Sequence, residues 1–311
     1  TDLTGRGMNL EYDGIAPTSK AYHEWADDGS SEVRLEWDEN IRLTYVIDAY
    51  GNETEYYYDI DGYTYRIVYP DGLEEWYFRD ECSRVVRHID TDAAVNEYEF
   101  DENGNLTTIT QPDGTTIHYD YDDQDQLIGM VDAEQGRWFK EYDGSGNIIK
   151  EIDPLKRETK YNYNAMGLPI QITDAKGGSK QLKYDDQGNL ISYTDCSGKE
   201  TKWEYDLRGR VTSVENALKN KVEYFYSDFT AEKREPLEQG LPLNSFGQLE
   251  KIKYSDVLEE HFIHDAEGRL LVYIDPTGKK TRYDYDPAGL ISYRIDPLGY
   301  KIKYEWDKLS R

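Results

Sequence analysis

The chain has 311 residues, 36 of them Lys or Arg and 63 Asp or Glu, so its net charge is −27. That balance excludes a phosphate-tracking nucleic-acid surface and a surface for anionic lipid, both of which need clustered cations. Hydrophobic residues make up only 37%, too few for one large core, but 29 Tyr against 7 Phe argue for half-buried strands rather than disorder.

Residues 1–31 follow no repeat and are expected to form a lead-in or a cap over an exposed sheet edge. They do not read as a signal peptide, and no later stretch is apolar enough to span a bilayer as a helix. From residue 32 to 227 a regular pattern runs: aromatic, any residue, aromatic, Asp, two residues, Gly. Copies place Tyr56, Tyr58, Asp59 and Gly62 in the slots, then Tyr98, Phe100, Asp101 and Gly104. Further copies hold Tyr161, Tyr163 and Gly167, then Trp203, Tyr205, Asp206 and Gly209. The acidic slot recurs at Asp38, Asp59, Asp80, Asp101, Asp122, Asp143, Asn164, Asp185, Asp206 and Ser227, each step being 21 residues. Periods of this size mark repeat architectures.

A second turn follows most copies ten residues later, as in Asp48-Ala49-Tyr50-Gly51 and Asp174-Ala175-Lys176-Gly177. Both turns read D-x-x-G. Asp at the first position caps a turn amide, Pro fits the second, and Gly takes the left-handed fourth. The segments between turns alternate as strands do, so one repeat is one hairpin. The step from Ser227 to Asn244 is only 17, which marks residues 228–243 as an irregular loop or remodelled repeat. From 244 to 311 the register resumes, with Tyr283, Tyr285, Asp286 and Gly289 in the slots. The chain stops in mid-repeat and reads as truncated there.

The predicted fold is therefore all-β: tandem 21-residue hairpins forming one long antiparallel sheet. A sheet of so many strands is expected to curve strongly or spiral, because strands twist and sheets beyond about ten strands curl. Aromatic slots on neighbouring strands are expected to form ladders.

Candidate chemistry is absorbed by the register. Asp59-Ile60-Asp61-Gly62 brings Gly to the fourth position, whereas a calcium loop of the EF-hand type needs it at the sixth. His261 and His264 are three apart, on opposite faces of a strand, so they do not converge on a metal. Ser145 sits in a D-x-x-G turn, not in the G-x-S-x-G nucleophile elbow. Cys82 and Cys196 read as unpaired thiols. No catalytic, cofactor-binding or metal-binding residue is predicted.

The pattern Y-x-Y-D-x-x-G-N-L followed by D-x-x-G resembles the Rhs/YD-repeat family. Tyr98 to Leu106, Lys183 to Leu190 and His264 to Leu270 carry it, and Gly5 to Tyr12 resembles the core of bacterial Rhs proteins. The resemblance implies a hollow β-shell that encloses a toxic C-terminal domain, delivered in many cases by a type VI secretion system. It implies as partners that toxin domain, secretion spike or adaptor proteins and a cognate immunity protein, with a bacterial chain secreted or injected through a contact-dependent system. The family core ends in a D-P-x-G-L-x-G-G segment linked to self-cleavage. Here Asp286-Pro287-Ala288-Gly289-Leu290 continues as Ile291-Ser292, and Asp296-Pro297-Leu298-Gly299 as Tyr300-Lys301, so both read as structural turns.

The leading function is a structural shell fragment that encapsulates and helps deliver a polymorphic toxin in interbacterial competition. The alternative is a carbohydrate- or cell-surface-binding module, its tyrosines stacking on sugar rings. An enzyme is the least supported reading, because no catalytic set departs from the repeat register.

Overall fold

The structure, a computed structural model, describes residues 7–16, 18–227 and 247–307. These residues form 27 strands in one sheet and contain no helix. The described pairings are antiparallel and join strands that are neighbours in sequence, from Met8–Tyr12 with Ala21–Ala26 to Ile291–Ile295 with Lys301–Lys303. The break assigned to 228–243 lies outside the described residues.

The repeat resolves into a strand of six residues, a turn of five, a strand of five and a second turn of five, which restores the period of 21. The strand Val95–Phe100, the turn at 101–105, the strand Leu106–Thr110 and the turn at 111–115 make one such unit, before Thr116–Tyr121 begins the next. The sequence pattern predicts longer segments of six or seven residues. The five-residue strands are shorter because each turn spends a fifth residue on closure: the amide of Asp101 donates to the carbonyl of Asn105 at 3.0 Å, and Gly104 donates back to Asp101 at 3.2 Å. The lead-in at 1–31 supplies two strands of the same sheet; it extends the sheet by pairing, through His23 opposite Arg34.

The chain divides into two compact units, Glu75–Lys221 and a second made of Thr1–Glu74 with Val222–Arg311. Within Glu75–Lys221 the alternation is regular. In the six-residue strands Val95–Phe100, Thr116–Tyr121, Glu158–Tyr163, Ser179–Tyr184 and Glu200–Tyr205, the third and fifth residues are exposed and the fourth and sixth half-buried. The fourth and sixth are the aromatic slots, except for Leu182, so the two-residue period of the strand sorts aromatic from charged side chains.

The expected aromatic ladder is present where Phe262 lies opposite Tyr273 and Tyr77 opposite His88, and is aromatic–aliphatic in the regular repeats. Tyr98 lies opposite Ile109, Tyr119 opposite Met130, Tyr161 opposite Ile172 and Trp203 opposite Val214. There the five-residue strand places an aliphatic residue where the ladder pattern expects a ring. Aromatic–aliphatic cross-strand pairs of this kind each contribute a few tenths to about 1 kcal/mol.

Burial is thin. Among the described residues the buried apolar side chains are Ala26, Leu43, Ile263 and Val272. The centre of the short strand is instead small: Thr108, Gly129, Ser192 and Ser213 are buried there. Each is covered by a longer polar neighbour on the paired strand. A Cβ on Gly129 would lie 2.9 Å from Oδ2 of Asp120, and Ser213 donates to Glu204 at 2.6 Å.

The fourth position of the five-residue turns is left-handed, and among the described residues six of these turns lack the glycine. Ser83, Ala93, Asp125, Gln135, Lys156 and Lys219 all carry φ between 59° and 67°. An L-residue in this region costs about 1–2 kcal/mol. Ala93→Gly is therefore expected to stabilise the chain by about 0.5–1 kcal/mol, the relief of that strain less the greater freedom of glycine when unfolded. Gly104→Ala should destabilise by a similar amount. Urea midpoints of the two variants check both signs; equal shifts in one direction would contradict the assignment.

Candidate functional site

The slot residues form a row of repeated turn and tyrosine stations. At each turn the slot carboxylate closes the backbone. Oδ1 of Asp59 accepts from the amides of Asp61 and Tyr63 at 3.0 and 2.9 Å. Asp101 accepts from Asn103 and Asn105 at 3.0 and 2.8 Å. Asp206 accepts from Arg208 and Arg210 at 2.9 and 3.0 Å, and Asp286 from Ala288 and Leu290 at 3.0 and 2.9 Å. Gly62, Gly104, Gly167, Gly209 and Gly289 follow at positive φ.

The second oxygen takes the fifth turn residue. Asn105, Asn147 and Asn189 donate through Nδ2 to Oδ2 of Asp101, Asp143 and Asp185 at 3.1, 2.9 and 2.9 Å. Arg84, Arg210 and Arg269 do the same through Nε to Asp80, Asp206 and Asp265 at 2.8, 2.7 and 2.7 Å. Hydrogen bonds to the charged form hold Asp80, Asp101, Asp143, Asp185 and Asp206 low. In Asp143 the side chain and amide of Asn147 are the main causes. In Asp101 burial pushes upward, and the bonds from Asn105 outweigh it.

Charge is dispensable for this duty. Asn164 fills the slot and accepts from Met166 and Leu168 at 2.9 and 3.0 Å, and Asn216 fills the second-turn position, accepting from Leu218 and Asn220 at 2.9 and 3.1 Å. Ser227 serves with its hydroxyl, which accepts from Gln248 at 2.9 Å. A general base or a cation site would need the carboxylate; a turn needs only the acceptor. Among the described residues no cluster of His, Cys, Asp and Glu is placed to hold a metal ion. Ser145 donates its amide to Asp143 as a turn residue, at 2.8 Å. His261 bonds Glu259 at 2.9 Å, while burial pulls His264 down. Cys82 and Cys196 are exposed and free.

The sixth-position aromatic does more than fill space. Tyr121, Tyr142, Tyr163, Tyr184, Tyr205 and Tyr285 donate their hydroxyls to the carbonyls of Leu106, Leu127, Ile148, Pro169, Leu190 and Leu270, at 2.6–2.9 Å. The Nε1 of Trp306 reaches Ile291 in the same way at 2.9 Å. In every case the acceptor is 15 residues back, at the start of the preceding short strand. A register shift beside that residue, as between Asp120 and Tyr121, bulges the short strand. The ladder with the following strand then runs only over Gly129–Val131, which leaves the carbonyl of Leu127 beyond it. The hydroxyl takes up this otherwise unpaired group. Phe100 lacks a hydroxyl; there Arg84 lies over the ring at 4.7 Å and donates to the Asp101 carbonyl at 3.3 Å. The Tyr-to-Phe ratio is the sequence signal for this bond, and the offset of 15 is visible only in the structure.

The stations stay one repeat apart along the sheet. Open grooves separate neighbouring turns, such as the one lined by Asp143, Asn147, Tyr161, Asn162 and Asn164. Their polar groups are already engaged: Tyr161 donates to Glu151 at 2.6 Å, and burial with that bond pushes its hydroxyl up to about 12.

Tyr163→Phe is expected to cost about 1 kcal/mol, the worth of one hydrogen bond to a part-buried carbonyl. Asp143→Asn should leave the urea midpoint near wild type at pH 7, while Asp143→Ala lowers it. The lowered folded value of Asp143 means that its contribution is complete above the unfolded value of about 3.9 and is lost as pH falls through the folded one. Wild type should therefore match Asp143→Asn at pH 7 and fall below it between pH 5 and 3. A constant gap across that range would contradict the role of the carboxylate.

A family model described as teneurin YD-shell matches residues 140–292, and one described as RHS repeat matches residues 100–137. No curated protein matches. Among solved structures, the crystal structure of TcdB2-TccC3-TEV aligns with a TM-score of 0.65 at 13% identity, over 98% of this chain and 19% of that one. The Photorhabdus luminescens Tc holotoxin pore aligns at 0.53 and 13%, over 94% and 20%. The chain thus spans about a fifth of the length of those chains, and at such identities the likeness is one of fold. A hairpin of 21 residues, held by the same turn and the same tyrosine from copy to copy and matched by both repeat models, leaves one assignment: the chain belongs to the Rhs/YD-repeat family.

Proposed function

We propose that this chain is a section of wall in a repeat-built container that encloses and helps deliver a toxin domain of its parent protein. The observation that carries the reading is the use of the slot residues. Acids and tyrosines that could serve as chemistry are spent on turn amides and backbone carbonyls, repeat after repeat. What remains is a framework whose role is to extend. The fold likeness to Tc toxin structures supports a toxin as the enclosed partner. On this reading the parent is a bacterial polymorphic toxin used against competitors and carried out of the cell by a secretion system. Spike or adaptor proteins and an immunity protein are its further partners.

The boundaries 1–31, 32–227, 228–243 and 244–311 belong to the same proposal, as cap or lead-in, repeat wall, irregular loop or remodelled repeat, and repeat wall. The test is limited proteolysis of the parent protein, followed by cryo-electron microscopy. A toxin domain that stays protected until the repeat section is unfolded, within a closed density, is expected. A toxin domain cleaved as fast as the isolated domain would overturn the reading.

A further inference from the structure

Side chains of the first hairpins meet two late turns within the same compact unit. The contacts join residues 236 to 257 positions apart in sequence. No described strand pairing connects the two segments. Arg269 stands at the centre: its Nη2 bonds the carboxylate of Asp28, and its Nη1 donates to Oγ of the buried Ser30 at 3.0 Å. The amide of Ser31 donates to the carbonyl of Pro287 at 2.9 Å, and Tyr50 donates its hydroxyl to Asp286. The fit is close, since a Cβ on Gly289 would lie 2.9 Å from Oγ of Ser31.

The charges here are unevenly matched. Arg269 also bonds Asp265 of its own turn at 2.7 Å, so one guanidinium bridges a carboxylate on each side, with the ring of Tyr285 at 5.1 Å. Glu267 has a buried oxygen with no hydrogen-bond partner; burial, Asp28 and Asp27 push its carboxyl up. Asp48 and Asp286 flank Tyr50. Arg269 is thus the cation bonded on both sides of a contact that gathers Asp27, Asp28, Asp265 and Glu267. Removing its charge leaves these acids facing one another.

We propose that this contact is a latch: side chains and the Ser31–Pro287 backbone bond, not strand pairing, hold the first hairpins against the turns at 265–269 and 286–289, and Arg269 keeps it shut. Opening it breaks a few side-chain and turn contacts and no ladder, which places it at the low-stability end of the molecule's local openings. Its use as a seam that parts without unfolding a repeat rests on the container reading; the latch itself rests on the contacts.

Hydrogen exchange of the chain, read at the Ser31 amide, tests it. Arg269→Gln is expected to speed exchange at Ser31 at least tenfold while amides of the strand Leu43–Ile47 keep their protection. Asp28→Asn, which leaves the Asp265–Arg269 turn intact, should do the same, and 1 M salt should speed wild-type exchange at Ser31 by screening the pair. Unchanged Ser31 exchange in both variants would overturn the latch, as would a parallel loss of protection in Leu43–Ile47. Toxin protection in the parent protein is read separately: a latch that opens as described in a parent whose toxin lies exposed would keep the latch and remove the container.

Discussion

Everything in this molecule depends on one side-chain oxygen accepting two backbone amides. A five-residue turn directs its amides inward, where no strand can reach them, and an acceptor at its first position satisfies them locally. With that acceptor in place the turn has a fixed length, and a fixed turn length sets the register of the strands on either side. A slip of one residue would carry each tyrosine to the charged face and each glutamate to the aromatic one. The turn, rather than a packed interior, therefore specifies the sheet. This accounts for a chain that is highly charged yet ordered: its information sits in local hydrogen bonds, and few apolar side chains need to be buried.

Much of this was legible in the sequence, because the signals are local and repeated. The acid, the glycine four positions into the turn and the alternation between turns each follow from short-range backbone chemistry. What escaped depends on contacts between strands. The bulge in the short strand has no residue signature, since Thr107, Ile128 and Ile149 are ordinary strand residues. The tyrosine bond spans 15 residues and needs the bulge to expose its carbonyl. The aliphatic partners of the ring slots were visible as residues, but their register was not. The D-x-x-G pattern gives the fourth turn position to glycine, yet Ala93 and Lys156 hold the same backbone at some cost in strain. The seam at Arg269 joins residues more than 230 positions apart, beyond the reach of any periodicity.

The site followed the same division. The sequence pattern places the aspartates in turns. The structure adds that a neutral amide or a hydroxyl performs the task at Asn164, Asn216 and Ser227. Substitution within the repeat itself thus separates the role of an acceptor from the role of a charge. Asp286, in one of the two stretches that start like a cleavage segment, has its oxygens engaged by two amides and the hydroxyl of Tyr50.

The tyrosine bond has a consequence for how such a chain changes over generations. Each hydroxyl from Tyr121 to Tyr205 reaches back to the repeat before it, so along this run the interface between neighbours is the same interface. A block of 21 residues could be gained or lost in the middle of the array, and the ends would rejoin through an identical turn, bulge and hydroxyl. Length is then a free variable under selection, set by how much wall is needed, while the chemistry of each brick stays fixed.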